Sequence, residues 1–313
     1  FSGGMYGSGF SYGNDMMTRN ENTSFNGNID YQRFLNRDRT SNITLSYLFT
    51  TDPTTTESRN IYDPLPAGIP LTLNDLHSNS KMRGTEHTFQ ADYTTPLSKN
   101  QTLNAGAKFI GRRNTSDSKF YNIINGKEVF DSNNSVNYKN TQSILASYIE
   151  YKLTLGKFSA KAGARYEHTW ENVEFILGKG DDFKKNYGNL VPSASFTYNI
   201  GAAVNVGVNY NMRISRPGIS FLNPYIDRST PTVLTYGNPN LDVEESHKVN
   251  LVFNAFTPKF MINLTLGEAF ANNQIEQYSF MDANGILNTT YGNIVRSRWT
   301  NFNTFINYSL TPN

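Results

Sequence analysis

Along most of the chain, apolar and polar residues alternate with a period of two, the pattern of strands with one face against apolar surroundings. Phe25, Ile29 and Tyr31 share one face and Asn26, Asn28, Asp30 and Gln32 the other; after a polar turn at 36–41, Ile43, Leu45, Tyr47 and Phe49 oppose Thr44, Ser46 and Thr50. Phe89, Ala91 and Tyr93 follow, and a turn at 96–100 leads to Leu103, Ala105, Ala107 and Phe109. The clearest hairpin runs from Ile144 to Glu167 around Gly156-Lys157. On its second arm Phe158, Ala160, Ala162, Ala164 and Tyr166 face one way, and Ser159, Lys161, Gly163, Arg165 and Glu167 the other. A slip of one residue would turn those charges onto the apolar face, so the register is well specified.

Further on, Ala194, Phe196, Tyr198 and Ile200 lead through Gly201-Ala202 into Val204, Val206, Val208, Tyr210 and Met212, opposite Asn205, Gly207, Asn209, Asn211 and Arg213. Val249, Leu251, Phe253 and Ala255 turn at 257–259 into Ile262, Leu264 and Leu266. That pattern runs on to a hairpin turn at 282–285 and returns through Trp299 to Phe302, Ile306, Tyr308 and Leu310. Segments 52–85, 112–141 and 169–190 read as long loops, and residues 1–22 as a loop or frayed strand with a short strand near Phe10 to Tyr12. Tight turns then fall near residues 38, 98, 156, 201, 258 and 311, with mostly long connections on the other side.

Short turns on one rim and long loops on the other are the asymmetry of an outer-membrane barrel. The predicted fold is therefore all-β: an antiparallel transmembrane β-barrel of about eleven strands, with short periplasmic turns and long extracellular loops and no helix-period segment. An odd number cannot close as a bacterial single-chain barrel, and plugged transporters have about 22 strands. Residues 1–313 are accordingly expected to be a single, incomplete barrel segment, about half of a 22-stranded barrel.

Composition narrows the alternatives. The 313 residues include no cysteine, which excludes a disulfide scaffold, thiolate metal sites and cysteine nucleophiles. A net charge of +2 with scattered Lys and Arg gives no basic patch, so no nucleic-acid partner is expected. With 21 Phe and 19 Tyr against 2 Trp, and abundant Asn, Ser, Thr and Gly, the chain suits many twisted strands with polar loops. No apolar run reaches the roughly 18 residues of a transmembrane helix, a criterion that says nothing against membrane strands.

The most informative stretch joins two of these strands. It reads Asn211-Met-Arg-Ile-Ser-Arg-Pro-Gly-Ile-Ser-Phe-Leu-Asn-Pro-Tyr225, continued by Tyr236-Gly-Asn-Pro-Asn-Leu-Asp-Val-Glu-Glu245. Pro217, Pro224, Pro231 and Pro239 fix φ and Gly218 and Gly237 add freedom, the chemistry of an ordered loop. Arg-x-Ser-Arg-Pro-Gly, Leu-Asn-Pro-Tyr and Gly-Asn-Pro-Asn-Leu-x-x-Glu, in that order, resemble the C-terminal barrel part of TonB-dependent outer-membrane receptors. Val243 stands where that family usually has proline. The resemblance implies a receptor or transporter for a scarce nutrient such as a siderophore, vitamin, glycan or peptide, in the outer membrane of a diderm (Gram-negative) bacterium. It also implies partners: a plug domain and further strands of the same polypeptide, the TonB complex acting through a box ahead of the plug, and outer-membrane lipid. It leaves room for an accessory surface lipoprotein. Neither plug nor TonB box is found in these residues.

Candidate site residues follow from these two regions. Lys161, Arg165, Glu167, Asn205 and Asn209 lie on the polar face, where they could meet a plug or line a substrate path; a barrel lumen is polar in any case. Arg213, Arg216, Asn223, Tyr225, Tyr236, Asn238 and Asn240 could contact a ligand at the extracellular mouth, or bond the loop to itself. His77, His87, His168 and His247 are widely spaced, three near expected strand and loop junctions, and Asp181-Asp182 lacks the pattern of a calcium loop. No metal site or cofactor is expected. No nucleophile, zinc-protease or phosphate-loop motif appears, and Glu244-Glu245 suits the start of a strand better than acid/base work, so no enzyme activity is expected. Two rivals share parts of this pattern: a passive porin or secretion scaffold, and a soluble β-sandwich or carbohydrate-binding module.

Overall fold

The structure is a computed structural model that describes residues 2–4, 11–64, 74–178, 180–223, 227–230, 233–283 and 285–309. In chain order its strands are β1 (Ser2–Gly4), β2 (Ser11–Asn22), β3 (Phe25–Phe34), β4 (Asn42–Tyr62), β5 (Asp75–Ser98), β6 (Gln101–Ile124), β7 (Lys127–Leu155), β8 (Phe158–Leu177), β9 (Phe183–Asn199), β10 (Val204–Ser215), β11 (Asp227–Thr230), β12 (Val233–Thr235), β13 (Glu244–Phe256), β14 (Phe260–Met281) and β15 (Leu287–Tyr308). A single helical turn, α1 (Ile219–Leu222), lies in the long connection. The strands form one sheet.

Among the described residues the sheet has eleven lanes: one shared by β2 and β3 along β4, seven from β4 to β10, and three from β13 to β15. Neighbouring lanes are antiparallel throughout, and only the short β12 runs parallel, against the start of β15. No described pairing joins β3 to β15, so the sheet is open, as half a barrel must be. Open edges of this length require further strands to cover them.

The predicted hairpins stand in the expected register. Leu155 opposes Phe158 across the Gly156-Lys157 turn, and Ile149 opposes Ala164. Gly156 has a φ of 56°, a conformation a side chain would strain. The turns at 36–41, 99–100, 200–203 and 257–259 line the same rim, and that at 282–286 the other. The expected turn near residue 311, together with Phe10 and Leu310, lies outside the described residues.

The excursions on the far rim are as long as expected, but most of the described residues of 52–85, 112–141 and 169–190 are strand. β7 has 29 residues and β5 and β6 have 24 each, against the roughly 9–11 that cross a bilayer. The segments 52–85, 112–141 and 169–190 therefore contain strand extensions that project beyond the membrane as hairpins, β6 and β7 meeting at Asn125-Gly126 with φ of 51° and 73°. Likewise residues 11–22 form a regular strand paired with Thr54–Tyr62.

The alternation sorts onto two surfaces. The outer one carries Ile29 (72% exposed), Leu45, Phe89, Leu145, Ile149, Leu251, Phe302 and Ile306, all open to the surroundings. Such a continuous apolar face would aggregate in water and is at home in lipid. The described strands form one layer with no second sheet over that face, which removes the soluble sandwich. The inner surface is mostly polar; among the described residues its apolar positions include Ile110 and Ile144, paired across β6 and β7, and a small buried core made by Leu222, Leu241, Val173 and Phe183.

Candidate functional site

The lumenal wall is set by register. Lys161, Ser195, Asn209 and Asn250 share one inward row, and Arg165 with Val191 another above it. Most of the predicted wall residues are engaged with their neighbours. Lys161 Nζ lies 3.0 Å from Glu150 Oε2, Asn250 donates to Asn209 Oδ1 at 2.8 Å, and Asn254 donates to Asn205 Oδ1 at 2.9 Å. Arg165 Nη2 is 2.6 Å from Glu167 Oε1.

Between these rows lies a recess of about 400 Å³, lined by Lys108, Tyr148, Glu150, Arg165, Ser193 and Arg213 among others. Its floor is open because Gly163 has no side chain; a Cβ there would press on the Ile149 carbonyl oxygen at 3.2 Å and the Glu150 side chain at 3.3 Å. Glu150 is already matched by Lys161, and Arg165 shares Glu167 with Arg216, so Lys108 and Arg213 leave the recess positive. Arg213 is exposed and, among the described residues, holds no carboxylate.

The long connection lies, in its described parts, against the inner face of the sheet. It leaves β10 at Ser215, folds back over the inner face of β8 and β9, crosses to β14 and β15, and re-joins the sheet at Glu244. Arg216 anchors the first limb: Nη2 donates to Glu167 Oε2 at 2.5 Å and to Thr169 Oγ1 at 3.2 Å. Leu222 then packs against Val173 and Phe183, and Leu241 joins them, with Phe175, Ile219, Ile275 and Tyr291 around the edge. The two limbs clasp each other through Gly237 N–H to Asn223 O at 2.8 Å and Asn238 N–H to Phe221 O at 2.7 Å.

The second limb is tied to β14 and β15. Asn238 donates to the Tyr291 carbonyl at 3.0 Å and accepts from Asn240 N–H at 3.0 Å, and Tyr236 N–H reaches the Thr289 carbonyl at 3.1 Å. Val243 is buried, and its carbonyl accepts from Asn273 at 2.8 Å. Glu244 does serve at a strand start: its carboxylate accepts Ile275 N–H at 2.8 Å, where the register of β14 against β15 shifts. Of the predicted mouth residues, Arg216, Asn223 and Asn238 thus take part in holding the connection, Tyr236 is bound by its backbone, and Arg213 and Asn240 are exposed. Tyr225 lies outside the described residues.

Some polar wall residues were not singled out from the sequence. Arg112 Nε donates to Glu86 Oε2 at 2.5 Å and Nη1 to Gln142 at 3.3 Å, a network spanning β5 to β7. Arg112 falls in the part of β6 that reads as loop, whereas Lys108 lies opposite Ala107 and Phe109 and was legible from the alternation. Lys185, above the apolar belt on β9, has a buried Nζ with no hydrogen-bond partner. Burial pushes its ammonium below its ordinary value, with Asp242 and Glu171 pulling the other way.

All four histidines lie in strands: His77 and His247 fall within the first four residues of β5 and β13, near the expected junctions, and His87 and His168 lie well inside β5 and β8. His87, His168 and His247 face outward, each with Nδ1 beside a tyrosine hydroxyl, at 2.9 Å from Tyr47, 3.4 Å from Tyr166 and 2.9 Å from Tyr210. They form part of an aromatic girdle at the upper edge of the apolar belt. His77 lies between Glu57 and Glu128. Among the described residues no cluster of metal-ligating side chains occurs.

A family model described as "Outer membrane protein beta-barrel family" matches residues 32–313. No curated protein matches the sequence. Among solved structures, the ferric-catecholate import receptor Fiu from E. coli K12 superposes with a TM-score of 0.56 at 13% identity, covering 87% of this chain and 45% of its own. The ferric yersiniabactin uptake receptor FyuA of Yersinia pestis gives 0.54 at 13% identity, covering 87% of this chain and 40% of its own. The Serratia marcescens hemophore receptor HasR, solved with its hemophore HasA and heme, gives 0.51 at 14%, covering 96% and 52%. The chain spans about half the length of these structures or less. At such identities the likeness is one of fold.

Proposed function

The chain belongs to the outer membrane protein β-barrel family, and from that premise we propose that it is the C-terminal barrel part of a TonB-dependent receptor that takes up a scarce nutrient. It resides in the outer membrane of a Gram-negative bacterium. A plug domain, the remaining strands of the same polypeptide and TonB complete the working assembly in this reading. Its work is transport and not catalysis.

The observation that carries the reading is the inward-folded connection lying over a lumenal wall with a positive recess. Arg216, Leu222 and Leu241 fix that connection against the inner face, from β8 and β9 to β14 and β15, so that it occupies lumenal space that an open pore would leave free. Lys108 and Arg213, beside the Arg165 that shares Glu167 with Arg216, favour a nutrient with net negative charge, which suits a metal chelate better than a neutral glycan. The named cargoes of the solved structures, ferric catecholate, ferric yersiniabactin and heme, lie in the same broad class.

Single-channel recording on the intact protein in planar bilayers tests this against a passive pore. A plugged receptor is silent at rest, whereas steady open conductance would assign the chain to a porin. With a candidate chelate in hand, Arg213→Gln and Arg165→Gln should each weaken binding by about tenfold, the order expected for losing one charge-assisted contact.

A further inference from the structure

The outer surface of the sheet carries a feature that nutrient uptake does not use. Register places its side chains in lateral rows. Tyr47, Phe89, Phe109 and Leu145 stand side by side in an apolar row. One row farther from the short turns come His87, Gly111, Ser143 and Trp170, and in the next Thr85, Arg113 and Thr141. Arg83 follows on β5, opposite Thr115.

Because Gly111 has no side chain and Ser143 a short one, the middle row is a trough. It opens into a recess of about 700 Å³ walled by Arg83, Arg113, His87 and Phe109. Directly below, sharing Phe109, an apolar groove of about 530 Å³ runs between Leu45, Tyr47, Phe89 and Leu145. Arg83 and Arg113 are exposed, and among the described residues neither forms an ion pair, whereas the lumen-facing Arg112 holds Glu86.

We propose that this outer face binds a lipid of the outer leaflet whose headgroup carries phosphate, with Arg83 and Arg113 on the phosphate and the acyl chains along the groove at Phe89 and Phe109. The guanidinium fork matches a phosphate oxygen pair, and two unpaired cations on the lipid-facing side gain most from an anionic headgroup. Level decides the source. Arg113 and Arg83 lie two and four residues, that is one and two rows, beyond the His87 row of the aromatic girdle, on the headgroup side, and the apolar groove continues beneath them toward the hydrocarbon. A free anion has no use for that groove, and a bare acyl chain has none for the arginines.

The experiment uses the full-length protein in detergent micelles, with diphosphoryl lipid A titrated in and bound lipid counted by native mass spectrometry. Removing both charges in the Arg83→Gln/Arg113→Gln variant is expected to weaken binding about tenfold or more. Gly111→Leu, which fills the trough and keeps both arginines, should do the same. For the unaltered protein, dephosphorylated lipid A should bind more weakly than the phosphorylated form, and the difference should shrink as salt rises from about 0.05 M to about 0.5 M. Equal binding of the two lipids, unchanged binding by the double variant, or displacement of lipid by inorganic phosphate without loss from Gly111→Leu would overturn the proposal. Should the double variant fail to give the heat-modifiable band of a folded barrel, the comparison of the two lipids on the unaltered protein decides alone. The outcome is independent of which nutrient, if any, the lumen takes.

Discussion

Arg216, in the long connection, places its Nη2 2.5 Å from Glu167 Oε2 on the lumenal wall, while Arg165 Nη2 approaches the other carboxylate oxygen at 2.6 Å. Glu167 is thus shared by two guanidinium groups and is the more buried partner of each pair, its side chain 9% exposed against 18% for Arg216. Removing one arginine leaves Glu167 matched by the other; removing Glu167 leaves two cations facing each other. Arg216→Ala should therefore cost about 1–3 kcal/mol. Glu167→Ala should cost more, about 3–5 kcal/mol. Thermal unfolding of the two variants in the same detergent gives the order, and a larger loss for Arg216→Ala would contradict this account of the anchor.

Gly237 sits where the two limbs of the connection touch. A Cβ there would stand 2.5 Å from Asn223 O, 2.7 Å from Phe221 O and 2.8 Å from Asn223 N, all backbone atoms that cannot swing aside. At Gly218 nothing lies within 4 Å. Gly237→Ala is expected to part the limbs at a cost of about 1–3 kcal/mol, and limited proteolysis should then cut within 216–243. Gly218→Ala should be indistinguishable from the unaltered protein in the same digest.

Acid should loosen the outermost hairpin before the membrane part. Asp131, near the tip of β7, has its carboxyl held below the usual carboxylate range, first by the Asn134 side-chain amide, with burial opposing it, and then by the Asn134 backbone N–H, the Asn122 amide and the Asn133 backbone N–H. A depressed folded value means that this stabilisation is complete above the unfolded pKa, about 3.9, and is lost as pH falls through the folded value. Protection of the Asn133 and Asn134 amides against hydrogen exchange, corrected for intrinsic rates, should hold from pH 7 to about 5 and fall only below about pH 3.9. Asp131→Asn should remove that step, and a step of the same size in the variant would point to another group.

The membrane part of this architecture was legible because lipid and lumen differ. On Phe158–Tyr166 the two faces meet different solvents, the alternation is strict, and the Leu155 to Phe158 register follows. Above the bilayer both faces meet water, and Lys127-Glu128-Val129-Phe130-Asp131-Ser132 shows no such contrast although it is strand. The sign that could have revealed it was local: Asn125-Gly126, a dipeptide favoured in two-residue hairpin turns. Residues 11–22 were obscured for the same reason. As for the site, Arg216 and Gly237 stood out as members of a motif and Glu167 as a polar-face position, but which residues they meet did not. Glu167 lies 49 positions before Arg216, and the reason for Gly237 is backbone from a limb met only after folding.

The central claim is that this chain is about half of a plugged receptor barrel. The intact mass of the polypeptide carrying these residues, extracted from outer membranes with detergent, tests it most directly. A mass at least about twice 35.3 kDa leaves room for a barrel of about 22 strands with its plug. A mass of 35.3 kDa would mean that the open-edged sheet works without either, and would contradict the account.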